Sequence, residues 1–140
     1  MSGAEAQSQA FAIEIRVYYE DTDAAGVVYH TAYLRYMDRA RTEWLRREGW
    51  SIARLADELG VLFVVGEVRV RYRAPARHDD ELWVGVGVQA MKSASLELVQ
   101  PVCRGETQVI GEGSIRLVSV STTSFRPRPF PEILHKVLAP

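Results

Sequence analysis

The chain has 140 residues, and its 17 basic and 18 acidic side chains leave a formal net charge of −1. Hydrophobic residues make up 47% of the chain and charged residues 25%, which is typical of one globular domain and argues against disorder or a fibrous repeat. The near-neutral balance disfavours nucleic acid as a partner, because sequence-independent binding to phosphates requires a basic surface.

The first ten residues contain neither the basic nor the apolar segment of a secretory signal peptide. The chain also lacks a run of about 18 apolar residues, so the sequence predicts no membrane span. The single cysteine, Cys103, cannot form an intrachain disulfide, and no neighbouring residue supplies a base that would activate it. We therefore expect a flexible lead over residues 1–10, one domain over residues 11–140, a cytoplasmic location and a buried thiol.

The first predicted elements are a strand and a long helix. Four apolar residues alternate with polar ones in the strand, namely Ile13, Ile15, Val17 and Tyr19. Turn-forming residues follow over 21–26. From about His30 to about Glu48, apolar residues recur every three to four positions, and Gly49 then ends this helical pattern. The helix carries a stripe that we expect in the core, formed by Tyr33, Tyr36, Met37 and Trp44.

The second half of the sequence is dominated by strands. Ser51 first predicts the N-cap of a short helix that ends at Gly60. Alternating segments then predict four strands, over 67–73, 82–88, 95–103 and 108–120. The proline-rich tail over 126–131 cannot continue a sheet, because proline lacks the backbone donor. This order predicts an α+β fold in which one long helix covers an antiparallel sheet.

The segment between the first strand and the long helix combines three features of a catalytic loop. Asp23 places a carboxylate on a loop, and Gly26 allows a ligand to approach closely. The helix start near His30 presents N–H groups that can stabilise an oxyanion. A carboxylate beside such a site is typical of acyl transfer or hydrolysis without a cofactor. A turn or capping role for Asp23 is the alternative that spacing alone leaves open.

Residues 19–30 read YEDTDAAGVVYH and are followed by Tyr33 and by RARTE over 39–43. This pattern resembles the signature of the YbgC-type acyl-CoA thioesterases, the Tol–Pal-associated relatives of 4-hydroxybenzoyl-CoA thioesterase. The turn over 73–82 and the run KSAS over 92–95 also fit, whereas Ala25 stands where many relatives have glycine. The resemblance implies the hotdog fold, in which a five-stranded antiparallel sheet wraps around a long central helix.

The resemblance also implies a reaction and roles for individual residues. Asp23 would act on the thioester carbonyl as nucleophile, or as general base for water. The backbone N–H of His30 would polarise that carbonyl, and its side chain would orient the acyl group or assist the leaving thiolate. Gly26 and Val27 would shape the approach. The implied activity is hydrolysis of acyl-CoA, with a short acyl chain favoured, to free acid and coenzyme A.

Further residues are candidates for substrate contacts. Tyr33 is among the side chains expected to close the acyl tunnel. Lys92 and Ser93, just before a predicted strand, are candidates for nucleotide contacts. Three arginines on one strand face could also match the phosphates, or could form a solvated outer face: Arg69, Arg71 and Arg73. The family resemblance further implies a homo-oligomer, a dimer at least and in many relatives a tetramer, with pantetheine entering between protomers.

Other interpretations concern neighbouring charged residues. Asp21 lies two positions from Asp23, and we expect it to cap or pair rather than react. A metal site formed by Asp21, Asp23 and His30 is disfavoured, because their short spacing does not place both carboxylates on one face. Glu43 is best interpreted as a helical ion-pair partner. We expect His78 on a surface turn and His135 in the tail.

Two other functions stay open at this point. One is dehydration of 3-hydroxyacyl thioesters, a reaction that could use His30. The other is non-catalytic binding of acyl-CoA by a sensor, since a fold does not by itself fix a function.

Overall fold

The computed structural model describes residues 11–140, so the predicted lead over residues 1–10 lies outside the described residues. An antiparallel sheet of five strands has the order β1-β3-β4-β5-β2. Its strands are β1 (Phe11–Arg16), β2 (Val61–Tyr72), β3 (Glu81–Met91), β4 (Ser95–Arg104) and β5 (Gln108–Ser121). The helices are α1 (Ala32–Arg47), α2 (Ile52–Arg54, continued by a π-helical turn at Leu55–Leu59) and α3 (Glu132–Leu138). The predicted α+β arrangement is confirmed.

Helix α1 packs its apolar stripe against the sheet. Tyr33, Tyr36, Met37 and Trp44 are all buried, as predicted. They meet inward-facing residues of the sheet such as Leu82, Val84, Val86, Leu96 and Leu98. Burial of each large apolar side chain contributes about 1.5–3 kcal/mol, so this contact fixes the helix over the sheet.

A glycine of β5 allows the close approach of the long helix. A Cβ atom at Gly113 would lie 2.6 Å from the Met37 sulfur, which is closer than such atoms pack. The absence of a side chain at Gly113 therefore leaves room for the end of the Met37 side chain against the sheet.

The helix boundaries agree with the capping pattern. Helix α1 begins at Ala32, two residues after the predicted start, because a turn closed by Ala32 N–H and the Tyr29 carbonyl (2.8 Å) precedes it. It ends before Gly49, which has a φ of 90°. Ser51 accepts the predicted capping hydrogen bond from Arg54 N–H at 3.2 Å.

The first strand is shorter than its alternation predicts. β1 ends at Arg16, and a 3₁₀ turn at Tyr19–Asp21 follows. Tyr19 is 79% exposed, so its expected place on the buried face is wrong. Val17 remains buried and keeps hydrogen bonds to the backbone of Asp79 and Asp80, both at 2.9 Å.

Two other elements differ from expectation. β2 begins at Val61, six residues before the predicted start, and a bulge between Val65 and Glu67 interrupts its pairing with β5. The tail does not end in irregular chain, because α3 follows the prolines. His135 therefore lies on a helix, where its ring packs edge-on against Phe130 at 5.7 Å between centroids.

No helix within residues 11–140 combines the length and the apolar character needed to cross a bilayer.

Candidate active site

The loop between β1 and α1 folds into a tight turn that presents Asp23. The Asp23 N–H donates to the Val27 carbonyl, and the Gly26 N–H donates to the Asp23 carbonyl, both at 2.9 Å. Gly26 has a φ of 79°, a conformation that favours glycine. The Asp23 carboxylate accepts a hydrogen bond from Ala25 N–H at 2.9 Å and is exposed. The turn therefore leaves the other carboxylate oxygen available to a ligand.

This carboxylate faces a cavity of about 330 Å³ at the start of α1. Its lining residues are Asp23, Val27, Val28, His30, Tyr33, Tyr72, Arg73, Ala74 and Pro75. The cavity thus brings together four predicted site residues, namely Asp23, Val27, His30 and Tyr33. Gly26 shapes the turn but does not line the cavity. The volume is within the range of about 300–1,000 Å³ that is usual for small-molecule sites.

The two residues just before α1 have available amides. Among residues 11–140, the N–H groups of His30 and Thr31 donate no hydrogen bond. The neighbouring carbonyls are held, since that of Tyr29 accepts from Ala32 N–H and that of His30 accepts from the Tyr72 hydroxyl, both at 2.8 Å. Free amides at the positive end of a helix dipole can stabilise a negatively charged oxygen.

Asp21 anchors the loop that carries Asp23 and does not line the cavity. Its side chain is buried and accepts hydrogen bonds from Tyr18 N–H at 3.0 Å and from Arg35 at 2.9 Å. Its own carbonyl accepts from Tyr29 N–H at 2.8 Å, which ties the two ends of the loop together. The expectation that Asp21 pairs is confirmed, and this engagement separates it from Asp23 and His30.

The ionisation of Asp21 reflects these contacts. Burial alone would raise the pKa of its carboxyl group, but the Tyr18 N–H, the facing Tyr36 hydroxyl and the Arg35 guanidinium together hold that pKa below its ordinary value. Tyr36 makes no hydrogen bond of standard geometry through its buried hydroxyl within the described chain. Burial, together with the Asp21 carboxylate, raises the pKa of Tyr36. The pair therefore consists of an ionised carboxylate and a neutral phenol.

A second segment, residues 72–77, forms the opposite wall of the cavity. Val28 N–H donates to the Ala76 carbonyl at 2.8 Å, and Val27 pairs with Arg77. Tyr33 is buried against the same segment, and burial raises the pKa of its hydroxyl group. The sequence predicted only that Pro75 follows the end of a strand and that the turn over 73–82 fits the family pattern. It did not predict that this segment forms a wall of the cavity.

Lys92 and Ser93 lie far from the cavity within one chain. They form the turn between β3 and β4, where Lys92 N–H donates to the Ser95 carbonyl at 2.8 Å. β3 runs from Glu81 to Met91. Eleven residues of strand span roughly 35 Å, so this turn and the Asp23 loop lie at opposite ends of the sheet.

The remaining candidates have other partners. Arg69 pairs with Glu67 at 3.0 Å and Arg73 pairs with Glu112 at 2.9 Å, and only Arg73 of the three predicted arginines also lines the cavity. Glu43 forms the expected ion pair with Arg46, at 2.5 Å. Cys103 is buried, as predicted.

The family model of the Thioesterase-like superfamily matches residues 17–138. The chain belongs to this superfamily. It is 42% identical over 118 residues to "Acyl-CoA thioester hydrolase YbgC" of Escherichia coli, covering 84% of this chain and 87% of that protein. It is 37% identical to "Acyl-CoA thioesterase YbgC" of Haemophilus influenzae, covering 87% and 89%.

A solved structure supports the same membership of the thioesterase-like superfamily. A "Probable Thioesterase" from Bartonella henselae superimposes with a TM-score of 0.81 at 29% identity, covering 87% of this chain and all of that one. The resemblance to YbgC-type thioesterases and the predicted hotdog fold are thereby confirmed. The chain is accordingly an enzyme of a thioester-hydrolase family.

Proposed function

We propose that the protein hydrolyses acyl-CoA thioesters to a free acid and coenzyme A, with Asp23 as the catalytic carboxylate. The observation that carries this proposal is a shared cavity, which is lined by the exposed Asp23 and by His30, whose backbone N–H has no partner among residues 11–140. The names of the relatives support acyl-CoA as substrate.

In the proposed reaction, the thioester carbonyl oxygen accepts hydrogen bonds from the free amides of α1. Attack on the carbonyl carbon makes this oxygen negatively charged, and the amides stabilise that charge. The carbon–sulfur bond then breaks, and coenzyme A leaves as a thiolate that takes a proton from water or from His30. The balance is one water consumed for one acid and one thiol released.

The attacking group can be Asp23 itself or a water molecule that Asp23 deprotonates. Direct attack forms a mixed anhydride, which water then hydrolyses. In a single turnover in ¹⁸O-labelled water, label in Asp23 would identify direct attack, because only hydrolysis of the anhydride at the carboxyl carbon of Asp23 leaves the label there. Mass spectrometry of the peptide that contains Asp23 measures this outcome.

The walls of the cavity support a small acyl group. Val27 and Tyr33 provide apolar surface beside His30, and Tyr72 narrows the same space. We propose that these side chains favour a short acyl chain. Because each methylene changes discrimination by only about 1–3 kcal/mol, a chain-length series of kcat/KM values tests this preference.

We further propose that the active enzyme is a homo-oligomer of two or more chains in the cytoplasm. β2 is an edge strand, and its Val65 and Val68 are 49% and 40% exposed. Pairing of such edges would cover this surface. Lys92 and Ser93 could then contact the coenzyme A of another subunit, since they are distant from the cavity of their own. The tetrameric state of many relatives stays a prediction that light scattering tests.

The decisive test is Asp23→Asn, with Asp57→Asn as the matched control. Asp57 is an exposed carboxylate on the π-helical turn that follows α2, away from the cavity. We expect Asp23→Asn to lower kcat at least 100-fold, or about 2.7 kcal/mol, and Asp57→Asn to leave it unchanged. A thiol-reactive dye measures release of coenzyme A.

Other outcomes would identify a different function. An unchanged rate for Asp23→Asn in a folded protein would remove this residue from the mechanism. Formation of an unsaturated thioester without thiol release would indicate a dehydratase. Binding of acyl-CoA by the natural sequence without any reaction would indicate a sensor.

A further inference from the structure

One side chain connects the end of edge strand β2 to the start of helix α1. The Tyr72 hydroxyl donates to the His30 carbonyl at 2.8 Å, although the two residues are 42 positions apart. The Tyr72 ring also packs edge-on against Tyr33, with 5.1 Å between centroids. The phenol is thus held from the side while its hydroxyl reaches the helix start.

This hydrogen bond acts on a peptide unit that carries a free amide. The peptide group is planar and trans, so the carbonyl of His30 and the N–H of Thr31 point in opposite directions within one plane. Fixing the carbonyl therefore fixes the direction of the N–H. Among residues 11–140, no backbone N–H donates to the His30 carbonyl, which leaves Tyr72 as its donor.

The preceding peptide unit is held differently. Its N–H belongs to His30 and its carbonyl to Tyr29, and that carbonyl accepts from Ala32 N–H at 2.8 Å. The main chain alone thus orients the first free amide. The second, of Thr31, depends on a side chain from the opposite wall of the cavity.

We propose that Tyr72 is a positioning residue, whose hydroxyl fixes the His30–Thr31 peptide just before α1 and so keeps the free amides of this turn in place for the carbonyl oxygen of the substrate. The inference rests on the proposed function for the identity of that substrate. Tyr72 does not need to touch the reacting atoms. Its hydrogen bond also polarises the peptide group, which strengthens the N–H as a donor. Burial raises the pKa of Tyr72, so the hydroxyl keeps its proton at neutral pH.

The test is Tyr72→Phe, which keeps the ring against Tyr33 and removes only the hydroxyl. Loss of one oxyanion donor costs about 100- to 1,000-fold in kcat; loss of its orientation alone should cost less, roughly 10-fold. We expect this fall in kcat with KM changed less than about twofold, because the charge on the oxygen develops only in the transition state. Tyr19→Phe is the matched control, since that exposed tyrosine does not line the cavity.

A second measurement reads the peptide itself. We expect Tyr72→Phe to shift the NMR signals of the His30 carbonyl carbon and the Thr31 amide, while signals from the rest of α1 stay in place. An unchanged kcat, or a rise in KM alone, would overturn the positioning role. If the natural sequence releases no thiol, the proposed function fails, and unchanged NMR signals would then overturn the inference separately.

Discussion

The two ends of the sheet differ in how their backbone groups are satisfied. At the far end, the C-terminal tail closes the structure, with Phe130 N–H donating to the Ser93 carbonyl at 2.8 Å and Arg128 N–H donating to the Ser119 carbonyl at 2.9 Å. At the other end, the amides of His30 and Thr31, just before α1, have no partner within the described chain, and the Asp23 side chain is exposed in the same loop. The closed end, covered by the tail, satisfies its backbone groups within the chain, whereas the open end, beside Asp23, leaves backbone groups available to a ligand.

The largest expected effect tests the closed end. Leu134 of α3 is fully buried, whereas its neighbour Ile133 is 48% exposed. We expect Leu134→Ala to lower the free energy of unfolding by about 2–5 kcal/mol and Ile133→Ala to change it by less than about 0.5 kcal/mol. Urea denaturation measures both. The folded Leu134→Ala enzyme should keep its kcat, and a large loss of kcat would mean that the two ends are coupled.

Asp21 provides the second test, because it stabilises the open end without lining the cavity. We expect Asp21→Asn to lower the free energy of unfolding by about 1–3 kcal/mol, since hydrogen bonds to a buried carboxylate are weakened. The lowered pKa of Asp21 means that its contribution is full above the unfolded value near 3.9 and is lost as the pH falls through the folded value. The difference between the two proteins should therefore shrink below about pH 4. A pH-independent difference would contradict this account.

Alanine substitutions at two glycines distinguish the cost of backbone strain from an effect on the position of Asp23. Gly26 has a φ of 79° and Gly105 a φ of 65°, and an added Cβ would meet no atom within 4 Å at either position. Alanine should therefore cost a similar free energy of unfolding at both, about 1–2 kcal/mol. Only Gly26→Ala should also lower kcat, because its turn holds Asp23. Equal kcat values for the two variants would show that the turn does not position the carboxylate.

The smallest expected effect concerns Lys92 on the far turn. Its side chain is 70% exposed, and its ammonium nitrogen lies 4.0 Å from a Glu97 carboxylate oxygen, an arrangement similar to that of Lys136 and Glu132 on α3, also 4.0 Å apart. We expect Lys92→Ala to raise KM roughly threefold, about 0.6 kcal/mol, and Lys136→Ala to have no effect. The increase should disappear at high salt, because exposed charges are screened. An unchanged KM would remove Lys92 from the nucleotide contacts.

Local patterns predicted elements at both ends of the sheet. The period of α1, the caps at Ser51 and Gly60, and the turn around Asp23 all depend on residues close in sequence. The functional meaning of Asp23 came from the family signature, since spacing alone also fits a simple turn.

Long-range contacts could not be predicted in the same way. The pairing of Tyr72 with His30 depends on where β2 ends relative to α1, which no local period encodes. Lys92 and Ser93 precede a strand, yet their sequence does not show at which end of the sheet that strand begins. α3 was missed because prolines precede it, although Leu134 and Leu138 are both buried at helical spacing.

The bare backbone at Gly113 has a mechanical consequence. Met37 rests on it one turn after Tyr33, and α1 continues as one helix from Ala32 to Arg47. A Cβ atom at Gly113 would first displace the flexible end of the Met37 side chain, whose sulfur and methyl group would lie 2.6 and 2.7 Å away. Substitution at Gly113 would therefore act on the proposed site only indirectly, through the packing of Met37 on the helix that Tyr33 shares.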